Sequence, residues 1–419
     1  MRPPVAATLI VLIPLLLTEG NAAGVSPLLA QQPPAGCSGS SGLRLPEGFC
    51  AIEVAESLGR IRQLTVLPNG DVVIASRGAE GGLTLLRDTT GDGRADVRRL
   101  LHGEGGTGVQ WHDGWLYFSP EWQVVRWRWE PGTLEPGGAP QVIVDGLPTG
   151  GHGAKTFTFL GGDSLVVNIG SQSNSCQRED RGYRSPGHDP CTELETRAGL
   201  WLFSASTPGQ TQASGTRYAT GLRNAMALAV EPGSGRLYAA PHGRDQLTQN
   251  WGYSEALGAE LPSEEFVQVN AGDDFGWPYC YYDHQQGAKV LAPEYGGDGK
   301  TTGRCAAARN PLIGFPGHWA PMAMTFYDAA QFPARYRGGV FISFHGSWNR
   351  SPLPQEGFRV VFAPFVEPGR PAGAYETFAT SREGPTQLRP NGLAVGPDGS
   401  LYIADERSGT VFRVMAITK

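Results

Sequence analysis

A strand–turn–strand pattern recurs six times along the chain, and this repetition restricts the possible folds more than any other feature of the sequence. Each copy has an alternating apolar strand, a turn rich in Pro, Asp or Gly, and a second strand that ends in a small or polar residue. The copies begin at Leu64, Val109, Phe157, Leu228, Met324 and Leu393. Segments of different length separate them, so the pattern predicts one shared hairpin with insertions of variable size.

Six hairpins with additional outer strands predict an all-β fold, a six-bladed β-propeller whose antiparallel four-stranded blades surround a central channel. The 59 glycines and 33 prolines among 419 residues favour short strands over long helices. A large sandwich and a pair of β-domains are the alternatives. The closed ring is favoured because the pattern continues to the C-terminus without a linker and because closure protects strand edges. We expect the propeller over residues 44–419, with a first strand near residues 50–55 and loop insertions at 173–198 and 246–316.

The N-terminal residues have the features of an export signal. Arg2 precedes an apolar run at residues 5–17, and small residues follow. The run is too short and too interrupted by proline to favour a membrane span. We therefore expect a signal peptide at residues 1–23, a flexible lead-in at 24–43, and a periplasmic or secreted protein without a membrane span; retention of the segment as an anchor is the alternative.

The cysteines also indicate an oxidising compartment, because there are six of them and all follow the signal. They form three couples that are local in sequence. The predicted disulfides are Cys37–Cys50, Cys176–Cys191 and Cys280–Cys305. Because no CxxC or CxxCH spacing occurs, the sequence argues against a zinc knuckle and a covalently attached haem.

Charge excludes one class of partner and indicates another. With 34 Lys and Arg against 40 Asp and Glu the net charge is −6, and no basic run is present, so a nucleic-acid partner is not expected. Basic, histidine and amide residues nevertheless collect at the ends of the hairpins. They are His152, Arg223, Asn224, His242, Arg244, His345, Asn349, Arg350, Arg389 and Asn391. Inner strands of a propeller converge, so we expect a central pocket that attracts an anionic ligand and holds a proton acceptor.

Several of these segments resemble a known family. The histidine–glycine pair before the third hairpin, YATGLRNAMALA, EEFVQVNAGDDFGWP and LRPNGLAVGPDGSLY are similar to the soluble quinoprotein sugar dehydrogenases of the sorbosone/aldose type. The resemblance covers roughly residue 58 to the C-terminus. It implies a six-bladed propeller that uses pyrroloquinoline quinone (PQQ) and Ca²⁺ to oxidise the C1 hydroxyl of an aldose or sorbosone-like sugar.

The resemblance also implies roles for individual residues. His152 matches the general base that takes the proton from the sugar hydroxyl while a hydride passes to the quinone. Arg223 matches the arginine that polarises the quinone oxygens, and Asn224 matches its neighbour that orients the cofactor. The backbone carbonyls of Gly243 and Arg244 match those that hold the cofactor calcium.

Acidic and basic residues further along complete the expected site. Glu264 and Glu265 match a pair that binds a structural calcium ion, and the alternative is a solvated charge pair on a loop. Arg389 matches one of two arginines that pair with cofactor carboxylates.

The sequence departs from the family pattern at three positions. The second arginine of the carboxylate pair is Asn391, and a lysine of the best-known glucose enzymes is His345, so Arg350 is the candidate for the missing charge. A glutamine that helps to hold the sugar has no clear match, and Glu104 is its nearest equivalent.

Two functions of different class follow. The first is a PQQ-dependent dehydrogenase that binds a small sugar and passes electrons to a separate acceptor, a cytochrome or a quinone. The second is an exported propeller without redox chemistry that binds a ligand or partner or hydrolyses a lactone. Arginines and histidines at the blade ends, where a lactonase would place several carboxylates around a metal, favour the first.

Overall fold

The computed structural model describes residue 1 and residues 41–78 and 80–417. The predicted signal peptide beyond its first residue, most of the predicted lead-in, and Cys37 with its predicted bond to Cys50 lie outside the described residues. The described part of the chain contains no helix that is long and apolar enough to cross a membrane.

In the part of the chain that the structure describes, six antiparallel blades of four main strands form the predicted propeller. The first strands of the described part are β1 (Leu43–Arg44) and β2 (Phe49–Ala55). Blade 1 contains β3 (Ile61–Val66), β4 (Val72–Ser76), β5 (Gly82–Arg87) and β6 (Val97–His102). Blade 2 contains β7 (Gly108–His112), β8 (Trp115–Ser119), β9 (Val124–Arg128) and β10 (Gly137–Asp145). Blade 3 contains β11 (Phe157–Phe159), β12 (Ser164–Ile169), β13 (Gly199–Ser204) and, after β14 (Gln210–Thr211), β15 (Thr216–Thr220).

The second half of the ring carries the helices and two small hairpins. Blade 4 contains β16 (Ala227–Val230), β17 (Leu237–Ala240), β18 (Glu264–Val269) and β21 (Ile313–Phe315), with α1 (Leu247–Trp251), α2 (Glu255–Glu260), β19 (Cys280–Asp283) and β20 (Ala288–Leu291) inserted. Blade 5 contains β22 (Pro321–Phe326), β23 (Val340–Phe344), β24 (Arg359–Ala363) and β27 (Glu376–Ser381), with the hairpin of β25 (Phe365–Glu367) and β26 (Arg370–Pro371) inserted. Blade 6 contains β28 (Pro390–Val395), β29 (Leu401–Asp405) and β30 (Thr410–Ala416).

The N-terminal strand closes the ring. Strand β2 pairs antiparallel with β30 and so becomes the outer strand of blade 6, while β1 pairs with the outer strand β27 of blade 5. Inner strands of neighbouring blades contact one another around the centre, including β28 with β3 across the closure. The first and last described strands therefore lie in the last two blades, and the inner edges converge as the sequence predicts.

Apolar side chains from neighbouring blades pack into shared clusters. Val166 and Leu200 of blade 3, for example, pack with Leu237 and Val267 of blade 4, and all four are almost fully buried. Alternation along each strand puts one set of side chains on each face of a blade, so both faces are covered by neighbours. Burial of each such side chain contributes about 1.5–3 kcal/mol, which makes the ring a rigid frame for the loops at its ends.

The insertions are less irregular than the sequence suggests. The segment 246–316 was expected to be loop, but it supplies β18 and β21, the two outer strands of blade 4. Strand β18 opens with Glu264 and Glu265, which are buried, and two consecutive charges hide its strand character. The predicted disulfides Cys176–Cys191 and Cys280–Cys305 are confirmed and hold the insertions together.

Candidate functional site

A cavity of about 330 Å³ lies where the inner hairpins begin and end at one face of the ring. First strands start there and second strands finish there, so residues just outside them meet. The basic and histidine side chains in its wall are His152, Arg223, His242, His318, His345, Arg389 and Arg407. Five of these seven were singled out from the sequence, and the structure brings them together. Such a wall is suited to an anionic ligand.

His152 is held in one tautomer. Its Nδ1 atom lies 3.0 Å from the carbonyl oxygen of Ser171, which can only accept, so Nδ1 carries the hydrogen. The backbone N–H of His152 donates to the same carbonyl at 2.9 Å. Burial, helped by the charge of Arg223, lowers the pKa of His152 to about 3. The ring is therefore neutral at pH 7, and its Nε2 atom keeps a lone pair for a proton.

Two further histidines of the wall are also neutral. Nε2 of His242 lies 2.8 Å from the carbonyl oxygen of Pro321, and burial followed by the charge of Arg223 lowers the pKa of His242 to about 4. His345 accepts from Nη2 of Arg389, and burial with this positive neighbour lowers its pKa well below the usual range. The rings of His242 and His345 are 6.4 Å apart. The positive charge of the wall therefore comes from its arginines.

Arg223 is fixed by four hydrogen bonds. Its Nε donates to the carbonyl of Asn174 at 3.0 Å, Nη1 to the carbonyl of Gly243 at 2.7 Å, and Nη2 to Oδ1 of Asn174 at 3.1 Å and to Oδ2 of Asp245 at 3.2 Å. Since a guanidinium has five N–H groups, one on Nη1 is left for a ligand. The side chain is buried, so its orientation is set before any ligand binds.

Asp245 connects several walls of the cavity. Besides Arg223 it accepts from Nη2 of Arg181 at 2.8 Å and from the side-chain amide of Asn349, and Nδ1 of His318 lies 3.9 Å from it. Burial acts to raise the pKa of Asp245, but the charges of Arg223 and Arg181 outweigh it and hold that pKa below its usual value. Sequence reasoning missed Asp245, although it directly follows the His242–Gly243–Arg244 turn. It also missed His318, which has no sequence signal of its own.

Glu264 has the properties of a cation ligand. Its carboxylate accepts the N–H of Gly243 at 2.9 Å and the N–H of Ala320 at 3.1 Å, and it lies in the cavity wall. Burial raises its pKa to about 7. Bound Ca²⁺ would stabilise the charged form, and Ca²⁺ prefers carboxylate and carbonyl oxygens. Glu264 therefore fits a calcium ion, and the carbonyl of Gly243, which accepts from Nη1 of Arg223 at 2.7 Å, has a second lone pair that could contribute.

Glu265 and Arg244 have other partners. The ammonium of Lys289 lies 2.9 and 2.8 Å from the two carboxylate oxygens of Glu265, so a protein cation occupies the position predicted for structural calcium. The buried side chain of Arg244 pairs with Glu294. This pair does not involve the backbone carbonyl of Arg244, which is the group predicted to bind the metal. Groups of three or more His, Cys, Asp or Glu suited to a metal are absent from the residues described by the structure. Any calcium here would need backbone and ligand oxygens.

Other predicted residues lie outside the cavity. Arg350 donates to the carbonyls of Ala259 and Gly317 and to Glu260, and these bonds fix the loop after β23. Its guanidinium therefore does not line the cavity, where it was expected to supply the charge for a cofactor carboxylate. Asn391 is fully buried and donates to Glu406 at 3.3 Å.

Asn224 and Glu104 lie beside the cavity. Asn224 accepts from Asn168 at 3.0 Å through its side chain and from the N–H of His242 at 2.9 Å through its carbonyl. It therefore supports the wall from behind. Glu104 lines a neighbouring cavity of about 480 Å³ with Glu121 and the exposed Trp122.

The wall retains unsatisfied polar atoms. Within the described residues, Nε of Arg389 and Oδ1 of Asn349 are buried and have no hydrogen-bond partner. Buried polar groups are normally paired, so a ligand with both donors and acceptors would complete the site. Arg407 adds an exposed guanidinium at the same wall.

Comparison with known proteins agrees with this geometry. A protein-family model described as TrAA12-like matches residues 43–416. The chain belongs to the TrAA12-like family. The match covers the whole propeller, and it confirms the resemblance to quinoprotein sugar dehydrogenases derived from the sequence motifs.

Individual relatives of this TrAA12-like chain are distant. An uncharacterized protein of Borreliella burgdorferi is 27% identical over 200 residues, 47% of this chain and 48% of the relative, so the chain spans about half of that protein's length. A pyrroloquinoline quinone-dependent sugar dehydrogenase of Hypocrea jecorina is 21% identical over 383 residues, 84% of this chain and 80% of the relative. The holo form of the PQQ domain of pyranose dehydrogenase from Coprinopsis cinerea has a TM-score of 0.73 at 20% identity, covering 89% of this chain and 97% of that chain. That structural likeness establishes the fold.

Proposed function

We propose that this TrAA12-like protein is a PQQ-dependent dehydrogenase that oxidises the C1 hydroxyl, or the aldehyde hydrate, of an aldose or sorbosone-like sugar. The observation that carries the proposal is a neutral His152 in the wall of a cavity whose positive charges are arginines. The Ser171 carbonyl holds Nδ1, which leaves Nε2 to accept a proton. The Hypocrea jecorina relative and the Coprinopsis cinerea structure support the same cofactor.

The cavity fits an anionic quinone. Arg223 has one free N–H, Arg389 has a buried unpaired Nε, and Arg407 is exposed at the same wall. Guanidinium groups bind carboxylates through paired, charge-assisted hydrogen bonds. His345 adds an N–H at Nε2, because its Nδ1 accepts from Arg389. When bound, PQQ supplies the acceptor for a hydride.

His152 provides the proton acceptor for the sugar. Its Nε2 takes the C1 hydroxyl proton as the C1–H bond releases its electron pair, so an aldose loses two hydrogens and two electrons and becomes a lactone. The negative charge of Asp245 favours the protonated ring, against the positive charge of Arg223. A positioned general base of this kind contributes about 10²–10⁴-fold to the rate.

We place the proposed calcium ion at Gly243 and Glu264. The carboxyl of Glu264 accepts only backbone N–H groups in the described structure, so it has lone pairs for a cation. The structural calcium expected at the pair Glu264 and Glu265 is not part of the proposal, since Lys289 pairs with the carboxylate of Glu265. Calcium held there would supply a Lewis acid at this wall of the cavity.

The enzyme works with a separate electron acceptor and outside the cytoplasm. Electrons leave to a separate acceptor, a cytochrome or a quinone, because the sequence has no motif for an attached haem. The protein is exported to the periplasm or beyond, as the apolar N-terminal run and the disulfides Cys176–Cys191 and Cys280–Cys305 favour.

Reconstitution tests the function directly. Purified protein is mixed with PQQ and Ca²⁺, and reduction of a redox dye is followed with a panel of aldoses and sorbosone. We expect reduction that depends on PQQ and on sugar, and a loss of about 10²–10⁴-fold in kcat for His152→Ala. The exposed His188 lies outside the cavity, so His188→Asn is the matched control and keeps full activity.

The outcomes separate the two function classes. Absence of PQQ binding and of dye reduction in a folded wild-type protein overturns the dehydrogenase and leaves the ligand-binding or lactone-hydrolysing propeller. Full activity in His152→Ala retains the dehydrogenase but removes His152 as its base.

A further inference from the structure

The segment that carries His152 has little rigidity of its own. It runs over residues 148–153 as Pro-Thr-Gly-Gly-His-Gly, without regular secondary structure, and Gly150 and Gly151 adopt φ values of 73° and 55°. Glycine backbones have more conformational freedom than any other residue. A base must nevertheless stay within a fraction of an ångström of its productive position, so the segment needs external support.

Lys155 supports the segment from inside the protein. Its side chain is fully buried, and Nζ donates to the carbonyl of Pro148 at 2.8 Å and to the carbonyl of Gly153. The described residues offer it no carboxylate within salt-bridge distance. Burial of a charge without a counter-ion is costly unless its donors are bound. The bonds to Pro148 and Gly153 are therefore what compensates the buried ammonium, and they tie it to this segment.

The backbone of Lys155 is itself fixed to blade 2. Its carbonyl accepts from Oγ of Ser119 at 2.7 Å and from the N–H of Gly108 at 3.2 Å. Lys155 is therefore attached to a rigid part of the propeller. Its ammonium holds the carbonyls of Pro148 and Gly153 close to blade 2.

The partly exposed Arg197 binds other carbonyl groups of the same segment. Its Nη2 donates to the carbonyl of Thr149 at 2.6 Å, and Nη1 donates to the carbonyl of Gly150 at 3.4 Å. The N–H of Arg197 is bound to the carbonyl of Glu193 at 2.8 Å, just after Cys191 of the Cys176–Cys191 disulfide. The two cations together bind four of the six carbonyls between residues 148 and 153.

We propose that Lys155 and Arg197 form a cationic clamp that positions His152 for proton abstraction. Neither residue lies in the wall of the cavity, so both act through the segment 148–153. The inference rests on the proposed function, because it assigns the clamp to the base of that reaction. The clamp also lowers the backbone mobility of the segment 148–153, and this effect can be measured without the reaction.

The clamp has a pH dependence of its own. Burial, followed by the charge of Arg197, lowers the pKa of Lys155 to about 8, and Glu121 acts in the opposite direction. Above that pH Nζ is a neutral amine whose hydrogen bonds to carbonyls are weaker than those of an ammonium. Turnover is therefore expected to fall on the alkaline side of about pH 8, while Arg197 stays charged.

The experiment compares Lys155→Met, Lys155→Arg, Arg197→Gln and the exposed control Lys300→Met. Hydrogen–deuterium exchange of a peptide that contains residues 148–156 is the first readout and needs no cofactor. We expect exchange in this peptide to rise about tenfold or more in Lys155→Met and Arg197→Gln, to be partly restored in Lys155→Arg, and to match wild type in Lys300→Met.

Kinetics with PQQ and sugar are the second readout. A displacement of the base by about 1 Å is expected to lower kcat about 10²-fold with KM and PQQ affinity nearly unchanged. The alkaline fall near pH 8 is expected to vanish in Lys155→Met. Should Lys155→Met not fold, Arg197→Gln carries the test, because Arg197 is half-exposed.

The two readouts fail in different ways. Wild-type exchange in both folded variants overturns the clamp, whatever the enzyme does. Increased exchange with unchanged kcat overturns the role in positioning His152. A wild-type protein without PQQ-dependent activity overturns the proposed function and with it this assignment, while the exchange data still report whether the clamp exists.

Discussion

Nη2 of Arg389 donates a hydrogen bond to Nδ1 of His345 across 2.5 Å in the wall of the central cavity. Arginine is always protonated, so the contact requires a lone pair on Nδ1 and places the hydrogen of His345 on Nε2. Burial and the adjacent guanidinium keep the pKa of His345 low, which prevents a second positive charge. This pair thus contributes one positive charge, on Arg389, and one N–H donor, at Nε2 of His345, to the wall.

Substitution of Arg389 should weaken binding of the proposed anionic cofactor. In Arg389→Ala we expect the affinity for PQQ to fall about 10–100-fold, since a charge-assisted hydrogen bond is worth about 1.5–3 kcal/mol. The pKa of His345 should rise because its positive neighbour is gone. Titration calorimetry with PQQ measures the first effect, and NMR titration of the imidazole measures the second.

Arg370→Ala serves as the control, because Arg370 lies on the small hairpin of blade 5 with an exposed side chain. Unchanged PQQ affinity in Arg389→Ala would remove this residue from the proposed cofactor site.

Acid should destabilise the propeller through its neutral histidines. The folded-state pKa is lowered to about 3 for His152 and to about 4 for His242, whereas both titrate near 6.5 when unfolded. Below 6.5 the unfolded chain binds more protons, so the free energy of unfolding falls as the pH falls, by about 1.4 kcal/mol per pH unit for each ring. Glu264 has the opposite effect, because burial raises its pKa to about 7. Between pH 7 and 4.5 the folded chain binds its proton more tightly, so this group makes the free energy of unfolding rise as the pH falls.

Urea unfolding at pH 7, 6 and 5 measures this balance. We expect a net loss of stability towards pH 5 and a smaller slope in His242→Asn. Equal stability at all three pH values would contradict the assignment of neutral, buried rings.

The sequence predicts the ring and most of its centre because both depend on local pattern. Alternating strands and tight turns identify the inner hairpins, and residues just outside them must meet at one end of a propeller. His152, Arg223, His345 and Arg389 are therefore found from position alone.

The errors arise where distant partners decide the structure. Strand β18 is not predicted because Glu264 and Glu265 are interpreted from sequence as loop residues, calcium ligands or a solvated pair, yet Ala320 and Lys289 satisfy their carboxylates from segments 24 or more residues away. Arg350 was expected near the cofactor, but the carbonyl of Ala259, 91 residues away, takes its guanidinium. Local periodicity carries no information on such pairs.

The Glu265–Lys289 pair should behave as a buried ion pair rather than as half of a metal site. Removal of one partner leaves an uncompensated charge, so Lys289→Met should cost about 3–5 kcal/mol of unfolding free energy. The double variant Glu265→Gln, Lys289→Met should recover much of this loss. Chemical unfolding gives the values, with Lys300→Met as an exposed lysine control.

Calcium removal completes this test. If Lys289 holds Glu265, a chelator should not alter the difference in stability between wild type and Lys289→Met. A chelator that destabilises wild type but not the Glu265→Gln variant would instead return Glu265 to the calcium ligands.

Gly170 should tolerate no side chain, because it lies against the proposed base. A Cβ atom there would be 2.6 Å from Cβ of His152, 2.7 Å from its carbonyl oxygen and 2.9 Å from Oδ1 of Asn224. The cost is steric crowding, which typically destabilises by about 1–3 kcal/mol. A shift of His152 by a fraction of an ångström to 1 Å would lower kcat by up to about 10²-fold.

Gly384→Ala is the matched control, since the nearest atom to its Cβ, in Gln387, is 3.4 Å away. Thermal unfolding and steady-state kinetics of the two variants separate damage to the fold from damage to the site. We expect Gly170→Ala to lose more in kcat than its stability loss explains, because the nearest displaced group is His152. Equal activity of the two variants would mean that the wall relaxes around the methyl group and that the placement of His152 relative to Gly170 does not limit turnover.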